Sequence, residues 1–483
     1  MYDIVIDLCR LVKNAGGRAL LVGGCVRDEL MGLEPKDWDL EVYGVEPERL
    51  RKILEEFALR SVADKMNNGG SSKAECEARV SPVNIVGEIF SVYKFGDYLD
   101  VSLPRRERKS GRGHRAFIVE GDPHMSFESA CLRRDFTMNA ILKDPLSGEI
   151  IDPFDGRRDI EQKLIRHISD ETFSEDSLRV LRAAGFAARF EFDIAIETVQ
   201  ICKQIDVSDL PRERIWSELE KLLLKAQRPS RGLKWIYEFG VARQIFPELQ
   251  ALVGVPQEPD WHPEGSVDVH TMMVVDEARK LIDDLDYPRK IAVMLGALCH
   301  DFGKPATTAF VDGRIRSRSH DEAGVAPTIS FLDRLGIFKL HHFDVRRQVV
   351  ELVRYHLTPG EFYKSKTPVG AGAFRRLARK VELDLLYRVA KADSLGRNPD
   401  WLAPEKRFGA EAQEWFIERV RELEVEKKAP EPILKGRHLI EIGLAPGPKF
   451  KDILNAVYEM QLDGEISDLN EALAAAKNIA SKA

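Results

Sequence analysis

The chain has 483 residues, room for about three domains, and 44% hydrophobic with 31% charged content marks it as globular, not disordered or fibrous. A net charge of −7 excludes an overall basic coat, so any contact with RNA must come from local patches of arginine and lysine. No apolar run is long enough to span a membrane, Asp3, Asp7 and Arg10 do not read as a signal peptide, and cysteines 9, 25, 76, 131, 202 and 299 form no CxxC pair, which fits reduced thiols and a cytoplasmic location.

Arg18 to Val22 reads as a short apolar strand. Gly23-Gly24 then lets the backbone approach a phosphate, and from Asp28 onward the chain turns into a helix whose N-terminus favours anions. Arg27 is placed to reach a phosphate. Taken alone, a Gly-Gly pair is most often an ordinary turn. If Trp38 to Tyr43 runs as a strand, its period of two puts Asp37, Asp39 and Glu41 on one face and Trp38, Leu40 and Val42 on the other. Such a row is either a solvated acidic face or a cradle for cations. Two Mg²⁺ ions held roughly 4 Å apart by shared carboxylates would activate a hydroxyl and stabilise a leaving pyrophosphate. Strand, Gly-Gly turn, Arg-Asp and acid-x-acid strand form an ordered set of parts that points to metal-dependent nucleotide transfer.

Asn67 to Ser72 marks a loop tip, and Phe90–Phe95 and Tyr98–Leu103 read as strands. The second of these carries Asp100 toward the carboxylates as a candidate third ligand, unless it is a turn-flanking acid. Arg105, Arg106, Arg108, Lys109, Arg112 and Arg115 then crowd what reads as a loop, either solvated or able to close on phosphates.

From residue 157 the apolar spacing becomes helical. On a helix Glu175, Asp176, Arg179 and Arg182 would share a face, as ion pairs or as a base-reading set. In the second case a carboxylate accepts from the exocyclic amino group of cytosine or adenine while an arginine donates to the neighbouring ring acceptor. Uracil and guanine would set a carbonyl against that carboxylate, so the pair would select CTP and ATP.

A Pro-rich joint at residues 255–263 opens a segment that holds seven of the eleven histidines. His270 lies on a helix read over Val267 to Lys280, and His300-Asp301 follows another over Ile291 to Cys299. His320, His356 and Asp393 come later. Single histidines are usually structural, but imidazole with carboxylate suits Mn²⁺, Ni²⁺, Fe²⁺ or Zn²⁺. The last 80 residues are helical, broken at Gly443 to Pro448.

GGCVRD at 23–28 with KDWD at 36–39 resembles the head of the class II tRNA nucleotidyltransferase and bacterial poly(A) polymerase family. RRDFTMNA at 133–140, DPFDG at 152–156, EDSLRVLR at 175–182 and ERI at 213–215 with Glu218 resemble its later motifs, in the family's order. LCHDFGKP at 298–305 resembles the HD domain attached to some members, and Leu439 to Leu462 their C-terminal helical region. The resemblance implies an α+β fold with a polymerase-β-like head followed by all-α neck, body, HD and tail regions. The domains would be 1–150 (head), 151–255 (neck and body), 256–400 (HD) and 401–483 (tail).

It implies addition of CCA to tRNA 3′ ends from CTP and ATP, without a template, with Mg²⁺ and release of pyrophosphate. Asp37 and Asp39, with Asp100, would hold the metal. Gly23, Gly24, Arg27, Arg133, Asp135 and Asn139 would serve the nucleotide, Asp176 and Arg179 the base, and Arg182 the base or triphosphate. His270, His300, Asp301 and Asp393 would bind Mn²⁺, Ni²⁺ or another transition metal in a phosphohydrolase site. The rivals are a CC-adding or A-adding enzyme, a poly(A) polymerase, an HD phosphohydrolase with an RNA-binding head, and a non-catalytic tRNA-binding protein. One departure stands out: Gly185 occupies the place of a family arginine, and Arg189 is the nearest replacement.

Overall fold

A computed structural model describes residues 2–67, 84–86, 92–96, 98–109 and 117–482. It divides into two compact units, Met1–Ile215 with Glu238–Gly240 and Trp216–Tyr237 with Val241–Ala483. In the first unit α1 (Tyr2–Asn14) buries Val5, Leu8, Cys9 and Val12, whose spacing of three and four makes one apolar stripe. It lies on a mixed sheet built from β1 (Arg18–Val22), β2 (Trp38–Tyr43), β3 (Asn84–Val86), β4 (Val92–Phe95), β5 (Leu99–Ser102), β8 (Leu142–Lys143) and β9 (Ile150–Ile151). The strand order is β3-β4-β5-β2-β1-β8-β9. β2 and β5 run parallel while β1–β2 and β4–β5 run antiparallel. The core under the sheet combines Leu21, Leu40, Val42, Val101 and Ile141 with Leu50, Leu54 and Phe57 of a following helix, α3 (Pro47–Asn67).

Several sequence expectations shift. α2 (Gly24–Leu30) begins at Gly24 and not at Asp28, because Gly23 itself serves as its N-cap. The arginines expected in a loop form a hairpin, β6 (Arg105–Lys109) pairing with β7 (Phe117–Gly121). Five consecutive charged residues along β6 hid it, since no apolar face marks it as a strand. Arg112 and Arg115 fall outside the described residues, as do 68–72 of the expected loop tip, Phe90 and Ser91 of the expected strand, and Cys76. The other five cysteines are buried and free.

The second unit is helical, with a bundle of Val267–Arg279, Tyr287–Cys299, Val345–Tyr355 and Leu383–Leu395 at its centre. Gly296 permits close approach of the helices: a Cβ there would meet Leu352 Cδ1 at 3.1 Å and Val389 Cγ2 at 3.2 Å. This unit is not purely α, for it carries two short hairpins, Thr308–Val311 with Arg314–Ser317 and Lys339–Leu340 with Phe343–Asp344. Near the C-terminus Leu434, Leu439, Ile453, Val457 and Ile466 form a separate small core. Arg376 and Arg379 pair with Glu459 at 2.9 and 2.7 Å and join this region to the helix Ala371–Ala378. Among the described residues no helix is long and apolar enough to cross a membrane.

Candidate active site and metal centre

The parallel register of β2 and β5 sets Asp39 opposite Asp100, and Asp37 lies just before β2. The Asp39 carboxyl is raised to about 6, chiefly by burial and further by Asp37 and Asp100, with Arg134 and Lys94 opposing them. Asp100 is paired with Lys94 from β4. A half-buried carboxylate held up by two others is a site short of positive charge, which a divalent ion supplies. The turn above it requires glycine. Gly23 has φ 73° and ψ −130°, a region closed to side chains, and a Cβ there would stand 3.0 Å from Arg134 Nη1 and 4.0 Å from Asp39 Oδ2.

Glu41, the third acid of the alternating row, has a different task. Its buried carboxylate accepts from Arg133 Nη2 at 2.7 Å, Arg134 Nη2 at 3.0 Å and the Tyr43 hydroxyl at 2.9 Å. Burial alone would raise its pKa, but the Arg134 and Arg133 charges hold it below the usual value. Glu41 therefore anchors the arginines beneath the site. Arg134 stood inside a motif in the sequence, yet nothing there linked it to Glu41 ninety-three positions away.

A chain of polar contacts joins most of the nucleotide-binding candidates. Arg189 Nη2 lies 3.4 Å from Asp28 Oδ2, and Asp28 Oδ1 accepts from Arg27. Arg27 Nη1 donates to Asn139 Oδ1 at 2.6 Å, Asn139 Nδ2 to Asp135 Oδ1 at 2.9 Å, and Arg182 Nε to Asp135 Oδ2 at 2.7 Å. Arg27 is buried and also covered by the Phe186 and Phe190 rings. Its guanidinium thus braces this network from inside, whereas the sequence suggested a direct reach to phosphate. Arg189, in this network, is the residue expected to stand in where Gly185 lacks a side chain.

Asp176 and Glu175 precede the helix Leu178–Phe190 and are not on it, so the shared helical face expected from spacing does not form. Asp176 Oδ2 pairs with Arg214 Nη2 at 3.0 Å instead. Arg179 donates to the Thr172 carbonyl at 2.6 Å and to the Arg133 carbonyl. The Arg179 backbone N–H donates to the Asp176 carbonyl at 3.0 Å, while the two side chains reach Arg214 and the Thr172 and Arg133 carbonyls. Arg214 belongs to the segment that resembles the fifth motif, though its pairing was not legible there.

In the second unit His270, His300, Asp301 and Asp393 come together as expected. His270 Nε2 lies 3.1 Å from Asp393 Oδ1 and 3.8 Å from Asp301 Oδ2, and His300 Nε2 lies 3.1 Å from Asp301 Oδ2. Glu264, just after the Pro-rich joint and without a signal in the sequence, lies 2.7 Å from His270 Nδ1, close enough for an ion pair, on the side of the ring away from Asp393. Burial would raise the Asp301 pKa, but the charges of His300 and Lys304 hold it well below the usual value. His300 Nε2 and both Asp301 oxygens are buried and lack a well-formed hydrogen bond. Such a donor set fits a divalent ion. Beside it opens a cavity of about 470 Å³ lined by Trp261, His262, Lys304, Lys364 and Arg397.

Comparison with known proteins matches these parts. Residues 19–166 match the poly A polymerase head domain, 191–252 the "Probable RNA and SrmB- binding site of polymerase A", and 267–398 the HD domain. The chain is 36% identical over 390 residues to the Multifunctional CCA protein of Xanthomonas campestris pv. campestris, covering 78% of this chain and 85% of that protein. This chain belongs to that family. A second relative, the Multifunctional CCA protein of Mannheimia succiniciproducens, is 37% identical over 325 residues, which is 66% of this chain and 70% of that one. Among solved structures, the Bacillus stearothermophilus CCA-adding enzyme in complex with CTP shares the fold at a TM-score of 0.62 and 21% identity, covering 100% of this chain and 98% of that one. The family's nucleotidyltransferase head and its HD domain both depend on divalent metal.

Proposed function

We propose that the chain adds CCA to tRNA 3′ ends from CTP and ATP with Mg²⁺. The observation that carries this reading is the meeting of Asp39, Asp37 and Asp100 under the Gly23 turn, where Asp39 is raised to about 6. Asp37 and Asp39, with Asp100 beside them, would hold the metal, which when bound lowers the pKa of the primer hydroxyl and neutralises the leaving pyrophosphate. Gly23 and Gly24 offer backbone close to the triphosphate, with Arg133 on Glu41 placed for phosphate or sugar. Arg27, Asn139 and Asp135 fix the position of Arg182. Asp176 and Arg179 are the base-reading pair, and Arg214 orients the carboxylate. Incubation with tRNAs ending before, within and after CC, with CTP and ATP separately and together, tests this when the 3′ ends are sequenced. CC-only, A-only or poly(A) products would replace it with the corresponding rival.

The histidine centre favours a second activity in the same chain. Its buried imidazole and carboxylate donors, beside a cavity with Lys304, Lys364 and Arg397, suit hydrolysis of a phosphoester with Mn²⁺ or Ni²⁺. Hydrolysis of a 2′,3′-cyclic phosphate by the purified chain tests it.

A further inference from the structure

The cavity beside the histidine centre continues into a second lobe of about 290 Å³. The two lobes share a wall made of Trp261, His262, Lys304, His320, Lys364 and Arg397, but only the first is also lined by Asp301 and Asp393. The second takes Ile315 as a further apolar wall, with Gln257, Glu258 and Ser317 as polar lining. Together they offer more room than a phosphoryl group needs, since small-molecule sites run roughly 300–1,000 Å³.

Trp261 is the unusual member of the shared wall. Its indole is 51% exposed, yet its position is fixed. The Trp261 and His262 N–H groups both donate to the Glu258 carbonyl, at 3.0 and 2.9 Å, which closes a turn at this point. From the hairpin strand Arg314–Ser317, the Ile315 N–H donates to Glu258 Oε2 at 2.9 Å and Arg314 Nη2 lies 3.4 Å from Asp260 Oδ2. The segments that carry Trp261 and Ile315 are thereby pinned to each other. A flat ring held in place but left open to water is preorganised for a flat ligand. Cations stand at the same wall. Arg397 lies over the Phe408 ring at 4.8 Å and donates from Nη2 to Ser394 Oγ at 3.0 Å, while its buried Nε has no hydrogen bond among the described residues. A guanidinium donor buried and unmet is a place for an anion.

A phosphate in the first lobe joined to a flat apolar group at Trp261 is the pattern of a nucleotide. Any base stacks on an indole, because every base has a π face. We propose that Trp261 is the platform for the nucleobase of the phosphoester, with Ile315 as the other apolar wall and the phosphate in the first lobe with Arg397 and Lys364. Trp261 is then a specificity-determining residue, which makes this centre a nucleotide site and not a general phosphoesterase. The proposal rests on the reading of the histidine centre as a phosphoester hydrolase and names its substrate class.

The test assays the full chain, loaded with Mn²⁺, on adenosine 2′,3′-cyclic phosphate, which carries a base, and on glycerol 1,2-cyclic phosphate, which does not. Trp261→Ala and Trp261→Leu, shown to be folded by melting temperature, should raise KM for the adenosine ester about tenfold or more, the size of one base–aromatic stack, with kcat within about twofold. Both constants for the glycerol ester should stay unchanged. Trp261→Phe keeps a flat ring and should remain within about threefold of wild type. A second readout needs no metal: in chelated protein, adenosine 2′-monophosphate should quench tryptophan fluorescence in wild type, and less so in Trp261→Phe, where the other indoles remain. An equal loss on both esters would make Trp261 a structural support and overturn the platform. So would an unchanged KM for the adenosine ester in folded Trp261→Ala, or quenching that persists in full in Trp261→Phe. Hydrolysis of neither ester by wild type would overturn the reading of the centre as a hydrolase, and the quenching comparison alone would then decide whether Trp261 holds a base.

Discussion

Asp39 on β2 lies in register with Asp100 on β5, across parallel strands whose outer neighbour β4 sets Lys94 against Asp100. One member of the acidic pair is thereby partly neutralised, while Asp39 keeps the unmet charge and a carboxyl raised to about 6. A divalent ion on Asp39 competes with a proton there, which fixes the direction of two effects.

Asp37→Ala and Asp39→Ala should each lower nucleotide addition ~10³-fold or more, since each removes a ligand from a metal-stabilised transition state. Circular dichroism should show the fold retained. Addition within tenfold of wild type in both variants would remove the metal assignment.

The raised Asp39 group carries a sign for stability. Its folded pKa of about 6 exceeds the ordinary 3.8, so between those values the unfolded chain binds fewer protons and stability from this group falls as pH rises. In metal-free protein at pH 7 to 8, Asp39→Asn should therefore raise the melting temperature of the first unit. Half-saturating Mg²⁺ for addition should increase roughly tenfold between pH 7 and pH 5 as protons occupy the carboxylate. A melting temperature lowered by Asp39→Asn would contradict the assignment.

Glu41→Ala should destabilise the head by ~3–5 kcal/mol in urea unfolding, because it leaves Arg133 and Arg134 without their buried counter-charge. The pKa of Glu41 is depressed, so its contribution is present above the ordinary 4.5 and lost as pH falls below it. Wild type and Glu41→Ala should thus converge in stability at acid pH.

Asp176→Ala and Arg179→Ala should relax base choice more than they weaken triphosphate binding, with hydrogen bonds to a base edge worth ~1–3 kcal/mol of discrimination. UTP and GTP incorporation should rise relative to CTP and ATP. Arg214→Ala, which frees Asp176 to move, should act in the same direction but less strongly. An equal fall for all four nucleotides would make these residues structural.

His300→Ala and Asp301→Ala should abolish metal-dependent phosphoester hydrolysis while CCA addition survives, because the two centres use different ligands in different units. Melting temperatures must accompany the assays, since removing a buried ligand also costs local stability. Loss of addition in folded variants would show that the centres are not independent.

Periodicity and motif order were enough to read the head, the carboxylates Asp37, Asp39 and Asp100, and the set His270, His300, Asp301 and Asp393. Those signals are local: a period of two, a period near 3.6, a Gly-Gly turn and residues bound to short motifs. Tertiary packing decided the rest, because it determines which acid receives a partner. Glu41 alternates with Asp39 in sequence, but Arg133 and Arg134 claim it, while Asp39 remains exposed to Asp37 and Asp100. Asp176 looked helical by spacing, but the helix starts only at Leu178 and the acid turns to Arg214. Glu264 and Trp261 acquired meaning only from packing, since contacts between residues far apart in the chain leave no periodic trace.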